Sequence, residues 1–230
     1  MRIWPVAAII VSVPIIVVQL GPGEDDRADT VARVRCPCGR PMQMWSAYLR
    51  QVRRRDADGA LRADTRRVPR VHCPDCNWSP GLLPATLFGL RRDLGAEIGQ
   101  ALLLLSQGQP INRIAALAGR PPGTVRDWCR RFREHALALN MGLARVAVSW
   151  GAELPRDLGR PGMELPQCLT LLDVVMHRLE QKWRAVEAWQ LASLLTGGAW
   201  LATNTPPLSG ARRTGYLIAR RAASVLAQGP

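Results

Sequence analysis

The stretch INRIAALAGRPPGTVRDWCR, residues 111–130, decides the fold. Ala115 and Gly119 are small residues at positions where two helices must approach closely, and Gly119 can also adopt the left-handed conformation that ends a helix. Pro121 and Pro122 prevent the first helix from continuing. The stretch therefore predicts two helices joined by a tight turn.

The second of these helices is predicted to be capped by Thr124 and to carry two different faces. Arg126, Arg130 and Arg133 follow one another at i, i+4 and i+7 and are predicted to point outward. Such an outward face enters the major groove of DNA in helix-turn-helix proteins. Apolar residues at helical spacing predict the opposite, buried stripe, which comprises Ile114, Leu117, Val125, Trp128, Cys129 and Phe132.

The contacts of this motif with DNA are predicted from position along the helix. Early residues of a recognition helix meet base edges, and flanking basic residues meet phosphates. The residues predicted to lie near bases are Thr124, Arg126, Asp127 and Arg130. The residues predicted to contact phosphates are Arg113, Arg120, Arg131 and Arg133. The alternative is an ordinary helical hairpin with a solvated arginine face, on which Asp127 and Arg131 form a simple surface pair.

The basic charge of the chain is concentrated around this motif. The formal net charge is +13, and residues 31–135 contain 19 arginines against 8 acidic residues. This concentration favours a polyanionic partner, with nucleic acid first and an acidic membrane surface second. The alternative is a solvated arginine-rich surface, because Lys182 is the only lysine and a GC-rich genome by itself favours arginine.

Four of the six cysteines stand in two close pairs, Cys36 with Cys38 and Cys73 with Cys76. Structural zinc sites prefer four tetrahedral ligands, and two turns that each present two thiolates supply them when a hairpin brings the turns together. The four cysteines are therefore predicted to bind a structural Zn²⁺ ion. One residue separates the first pair where two are usual, so the alternatives are a site of three cysteines with His72, an impaired site, and no bound metal.

The surrounding patterns predict a mainly α protein with a small β zinc-ribbon module and a three-helical helix-turn-helix core. Residues 55–59 are a turn signal between two partly alternating segments, 44–53 and 61–72, and predict a β-hairpin. Helical patterns cover residues 87–105, the stretch from 136 to about Val148, and residues 168–202 and 211–227.

Four regions are predicted along the chain. They are an N-terminal apolar strand region with an acidic linker at 1–30, a zinc-ribbon-like module at 31–84, a helix-turn-helix DNA-binding domain at 85–136 and a helical C-terminal region of unassigned role at 137–230. The apolar run at 3–20 is interpreted as one or two buried strands, because Pro5 and Pro14 interrupt a regular span and β-branched residues are frequent. A signal peptide or membrane anchor is the alternative.

Several motifs upstream of the helix-turn-helix are familiar in combination. They are IWP at 3–5, CPCG at 36–39, VPRVHCPDC at 68–76, LLP at 82–84 and the two arginines at 91 and 92. Together with the helix-turn-helix they resemble an uncharacterised bacterial family, domain of unknown function 6431, found mainly in actinobacteria and similar to the N-terminal DNA-binding parts of insertion-sequence transposases. The resemblance covers roughly residues 1–135 and implies a zinc ribbon, with the four cysteines as its ligands, followed by a DNA-binding helical module.

No catalytic constellation is recognised in the sequence. A transposase needs three acidic residues on an RNase H-like sheet, whereas the region after residue 136 is short and its last three acids fall in helical patterns. The spacing suggests no nucleophile or carboxylate partner for His135 or His177, which are interpreted as surface or capping histidines. Cys129 and Cys168 are interpreted as small buried hydrophobes.

The sequence thus predicts a non-enzymatic, cytoplasmic, nucleoid-associated protein that binds double-stranded DNA. It would be a transcriptional regulator or the DNA-recognition part of a mobile element, without a small-molecule substrate. A homodimer is considered because two half-sites increase affinity, although no heptad pattern supports it. The alternatives are a truncated or degraded transposase without its catalytic domain, and a membrane-tethered interaction protein.

Overall fold

The structure is a computed structural model and describes residues 15–18, 34–36, 38–56, 58–180 and 187–201. A sheet precedes a set of helices along the chain, so the fold is mixed α/β. The predicted acidic linker, the predicted helix at 211–227 and most of the apolar run at 3–20 lie outside the described residues.

The sheet has four strands among the described residues, in the order β1-β4-β3-β2. The strands are β1 (Ile15–Val18), β2 (Gln43–Arg55), β3 (Leu61–His72) and β4 (Gly81–Pro84). β1 pairs in parallel with β4, and the other neighbours are antiparallel. A strand within the N-terminal apolar run is therefore confirmed at 15–18.

β2 and β3 form the long hairpin that the turn signal predicts. Their pairing runs from Gln43 opposite His72 at the open end to Arg55 opposite Leu61 at the closed end. The carboxylate of Asp56 accepts a backbone N–H across the turn at 2.8 Å. Aspartate favours such turns because its side chain can bond to the backbone a few residues on.

Five helices lie within the described residues. They are α1 (Gly95–Ser106), α2 (Ile111–Ala118), α3 (Pro122–Ser149), α4 (Glu164–Glu180) and α5 (Ala188–Thr196). None of these helices combines the length and the apolar character that crossing a bilayer requires.

α1 begins at Gly95 and not at residue 87 as predicted. Residues 85–94 instead form turns and short bridges that dock against the hairpin. The backbone N–H of Arg53 on β2 donates to the carbonyl of Arg92 at 2.7 Å. These residues match a helical apolar pattern, but a tertiary contact with the hairpin determines their conformation.

α2 and α3 meet at the predicted tight turn. Gly119 has φ of 60° and ψ of 38°, the left-handed conformation expected of it. α3 begins at Pro122, so the predicted cap at Thr124 is wrong and Thr124 lies inside the first turn. Proline suits the first helical position because the N–H it lacks has no partner there. α3 then continues without a break to Ser149.

One hydrophobic core joins the helices. Trp200 is fully buried in it, with its ring centroid 6.2 Å from that of Phe132 on α3. Cys129 and Cys168 are also fully buried there, as predicted. The predicted domain boundary at 136/137 falls in the middle of α3, and both halves of this helix pack into the same core.

Arg55 fixes the closed end of the hairpin to the helices. Its guanidinium donates to the carbonyl of Leu117 on α2 at 2.9 Å, and its backbone N–H donates to Glu97 Oε1 at 3.0 Å. A Cβ at Gly119 would lie 2.8 Å from this guanidinium. The absence of a side chain at 119 therefore serves the docking of the hairpin as well as the turn.

Candidate functional site

The predicted buried stripe of the two helices is confirmed at five of its six positions, Ile114, Val125, Trp128, Cys129 and Phe132. Leu117 is 57% exposed, so its predicted burial is wrong. α2 has only eight residues and buries a narrow face through Ile114 and Ala115. Leu117 lies to one side of that face.

The opposite face of α3 carries arginines, as predicted. Arg126 and Arg133 are exposed, as is Arg113 on α2, and none of the three forms an ion pair with a residue that the structure describes. The side chain of Arg130 is 53% exposed although it pairs with Asp127 and Glu134. The first half of α3 therefore presents the guanidinium groups of Arg126, Arg130 and Arg133 to solvent over about 10 Å of helix.

Asp127 is the centre of an arginine network. Its Oδ1 accepts from Arg130 at 2.8 Å, and its Oδ2 accepts from Arg131 at 2.7 Å and from Arg91 at 3.4 Å. Burial opposes ionisation, but the hydrogen bonds from Arg131 and Arg130 outweigh it and lower the pKa of Asp127. Asp127 was predicted to lie near bases. Both of its oxygens are engaged by arginines, and its position near bases stays a prediction.

Two further predicted contact residues are partly enclosed. Thr124 is half-buried in the first turn of α3. The side chain of Arg131 is 17% exposed, and its Nε donates to Asp127 Oδ2 at 2.7 Å. The i,i+4 pair that the sequence suggests for these two residues is present.

Arg120 does not belong to the cationic face, and the prediction that it contacts phosphate is wrong. Its side chain is 1% exposed, and its Nε donates to Asp93 Oδ1 at 2.7 Å. Its Nη2 donates to Glu97, which also accepts the backbone N–H of Arg55. Arg120 thus joins the turn of the helix-turn-helix to α1 and the hairpin, and a phosphate cannot reach it.

The four paired cysteines converge at the open end of the hairpin. One pair precedes β2 and the other follows β3, and all four Sγ atoms lie within 4.8 Å of one another. The Sγ atoms of Cys38 and Cys73 are 3.6 Å apart. Thiolates about 2.3 Å from one tetrahedral zinc ion are about 3.8 Å from each other. The spacing of the sulfurs therefore fits a single metal ion.

Backbone hydrogen bonds close both cysteine turns in similar ways. The N–H of Gly39 donates to the carbonyl of Cys36 at 2.8 Å, and the N–H of Asn77 donates to that of Cys73 at 2.9 Å. Gly39 and Asn77 have φ of 91° and 55°, a region that glycine and asparagine tolerate best. The shortened spacing of the first pair therefore does not prevent the sulfurs from meeting.

The thiols are electrostatically linked. The backbone N–H of Arg40, with help from Cys76, lowers the pKa of Cys38 to about 7. Cys38 and Cys36 in turn raise the pKa of Cys76 to about 12. The Cys38 thiol therefore ionises easily, and its negative charge then opposes ionisation of the neighbouring thiols. A bound cation removes this mutual repulsion, so metal binding and proton release are coupled.

His72 lies beside the cysteines but has another partner. Its Nε2 is 3.0 Å from Asn77 Oδ1, and its ring centroid is 4.9 Å from that of Trp45. The group of potential ligands found among the described residues consists of the four cysteines without His72. The geometry thus favours the four-cysteine set over the alternative with histidine.

A family model described as a helix-turn-helix domain matches residues 99–140. The chain contains a helix-turn-helix domain. It takes in most of α1, all of α2 and α3 as far as residue 140. Searches of curated proteins and of solved structures gave no match. The match lies downstream of the four paired cysteines, so the zinc ribbon and the resemblance to domain of unknown function 6431 stay predictions.

Sequence reasoning missed three residues of this region. Arg91 lies 36 residues from Asp127, which it contacts, so no local spacing indicates the pair. Arg55 was counted only as part of a turn signal. Asn77 follows the second cysteine pair as Gly39 follows the first, and this parallel was the one signal that could have identified it.

Proposed function

We propose that this protein binds double-stranded DNA in a sequence-specific manner, with the first half of α3 as its recognition helix. The observation that carries the proposal is the exposed face of Arg126, Arg130 and Arg133 within a matched helix-turn-helix domain. We place Arg126 and Arg130 near bases and Arg113, Arg131 and Arg133 near phosphates. Asp127 supports Arg130 and Arg131 in these positions.

Direct readout of bases by this face has a clear chemical basis. A guanidinium can donate two parallel hydrogen bonds to the O6 and N7 acceptors of guanine, the commonest specific contact in the major groove. Arg126 is free to do this, and Arg130 is held at an angle that Asp127 and Glu134 fix. Fixing a long side chain reduces the entropy that is lost on binding.

We propose that the cysteine site holds a structural Zn²⁺ ion. Four sulfur donors within 4.8 Å of one another are the set that zinc prefers in closed sites. Such a site leaves no coordination position for an activated water, so zinc here would stabilise the open end of the hairpin. We further propose that the chain has no catalysis of its own and acts in the cytoplasm.

The biological role has two candidate forms, a transcriptional regulator and the DNA-recognition part of a mobile element. The second has one specific observation in its favour, since helix-turn-helix domains of the matched kind are common in the DNA-binding parts of transposases. A truncated transposase is a variant of this form. A neighbouring reading frame for a catalytic domain, or flanking inverted repeats, would support it. The homodimer stays a prediction.

The division of labour along α3 can be tested by two single substitutions. Arg126→Ala should weaken binding to the preferred site by about 1–3 kcal/mol and relax the preference at one base position. Arg133→Ala should weaken binding to all sequences alike and reduce the slope of log affinity against log salt by about one. Titrations of specific and scrambled duplexes at several salt concentrations measure both effects. Identical effects of the two substitutions on every sequence would refute this division.

A further inference from the structure

The β2–β3 hairpin carries far more basic charge than its fold requires. Its two strands contain eight arginines and one carboxylate, Asp64. Three of the arginines bind backbone carbonyls, with Arg50 donating to Phe88, Arg55 to Leu117 and Arg70 to Ser79. The other five have no such role in the described structure.

Strand pairing places three of these five on one face. Arg54 lies opposite Arg62, and Arg66 lies opposite Arg50. Residues two apart on a strand share a face, as do directly paired residues, so Arg54, Arg62 and Arg66 are on the same side as Arg50. We call these three residues the hairpin arginine face. The remaining two, Arg53 and Arg67, lie on the opposite side.

The side of the hairpin that carries the hairpin arginine face is linked to the recognition helix through Arg91. The guanidinium of Arg50, on this face, donates to the carbonyls of Phe88 and Arg91. The side chain of Arg91 in turn contacts Asp127 on α3. The docking of Arg55 on α2 fixes the closed end of the hairpin beside the turn that leads into α3. The hairpin is therefore fixed relative to the recognition helix at two points, Arg91 and the turn that precedes α3.

The charge on this face is only partly neutralised. Arg62 pairs with Asp56 at 2.8 Å, whereas Arg54 is 3.7 Å from Asp64 and is half exposed. Arg66 forms no ion pair with any residue in the described part of the chain. The unpaired charge of Arg66 and the exposed, loosely paired charge of Arg54 therefore remain available to a polyanion.

We propose that the hairpin arginine face binds the phosphate backbone of the duplex that flanks the site read by α3. Arg66 lies four residues along β3 from Arg62, about 13 Å, and one DNA strand presents about four phosphates over the same length of duplex axis. The hairpin thus extends the contact along the DNA without reading its sequence. This inference rests on the proposed function, because it needs α3 to bring the duplex to the hairpin.

A pair of charge-matched double variants tests this contact. Arg54→Ala/Arg66→Ala removes two charges from the hairpin arginine face, and Arg53→Ala/Arg67→Ala removes two from neighbouring positions on the opposite side. The probe is a fluorescein-labelled duplex of mixed sequence, titrated with zinc-loaded full-length protein at several salt concentrations. Circular dichroism and zinc content establish that each variant is folded.

The first variant should lower the slope of log affinity against log salt by about two and weaken binding at least about tenfold. The Arg53→Ala/Arg67→Ala variant should lower this slope by less than half of the change in the first variant. Equal slopes for the two variants, with DNA binding retained, would overturn the hairpin contact and leave the proposed function intact. Failure of the wild-type protein to bind any duplex would overturn both.

Discussion

Removal of the proposed Zn²⁺ ion should unfold the open end of the hairpin and leave the helices folded. The buried cluster around the cysteines consists of only six residues, Val34, Cys36, Met42, Val71, Cys73 and Leu82. A cluster of this size is too small to hold the two turns, and zinc binding supplies on the order of 10 kcal/mol of folding free energy in such modules. The helices have a separate and larger core.

Chelation of purified zinc-loaded protein tests this expectation. Circular dichroism should lose strand signal and retain most helical signal, and amide exchange should accelerate in β2 and β3 near the cysteines. The Cys76→Ser variant is the control, because it has already lost a ligand and should change little further on chelation. Unchanged exchange and melting after mass spectrometry has established complete loss of metal would contradict a structural role for the site.

Arg120→Ala should strongly destabilise the helix-turn-helix. It leaves Asp93 and Glu97 without the guanidinium that compensates their burial, and breaking a buried ion pair from one side costs about 3–5 kcal/mol. The docking of the hairpin should loosen as well, because Glu97 also accepts the backbone N–H of Arg55. Urea unfolding measures the loss of the free energy of unfolding.

Arg113→Ala is the matched control for this substitution. Arg113 is exposed on α2 and forms no ion pair with a described residue, so its loss should change stability by less than about 0.5 kcal/mol. If both variants unfold at the same urea concentration, the Arg120 network does not stabilise the fold as its geometry implies.

The features that sequence predicted well have local causes. Gly119 and the two prolines after it define the turn through steric effects within a few residues. The apolar spacing from Val125 to Phe132 fixes the buried side of α3 by helical periodicity alone. The convergence of the two cysteine pairs could be predicted from the turn signal at 55–59 alone. That signal predicts a hairpin, and a hairpin brings its two ends together.

The features that sequence missed depend on distant partners. Arg120 and Arg126 are both arginines of the same motif, and nothing local shows that one is buried. The difference arises because Asp93 and Glu97, which lie 27 and 23 residues from Arg120, reach it across the fold. The predicted start of α1 was wrong for the same reason, because contacts with the hairpin determine the conformation of residues 85–94 and their own apolar periodicity does not.

Selection of random duplex DNA by the zinc-loaded protein tests the central claim most directly. We expect enrichment of a defined motif by the wild-type protein and its loss in the Arg126→Ala/Arg130→Ala variant. The control variant Arg156→Ala/Arg160→Ala removes two exposed arginines from the connection after α3 and should select the same motif as the wild type. Motif-free binding by the wild-type protein, or equal loss of binding in both variants, would contradict sequence-specific recognition by α3.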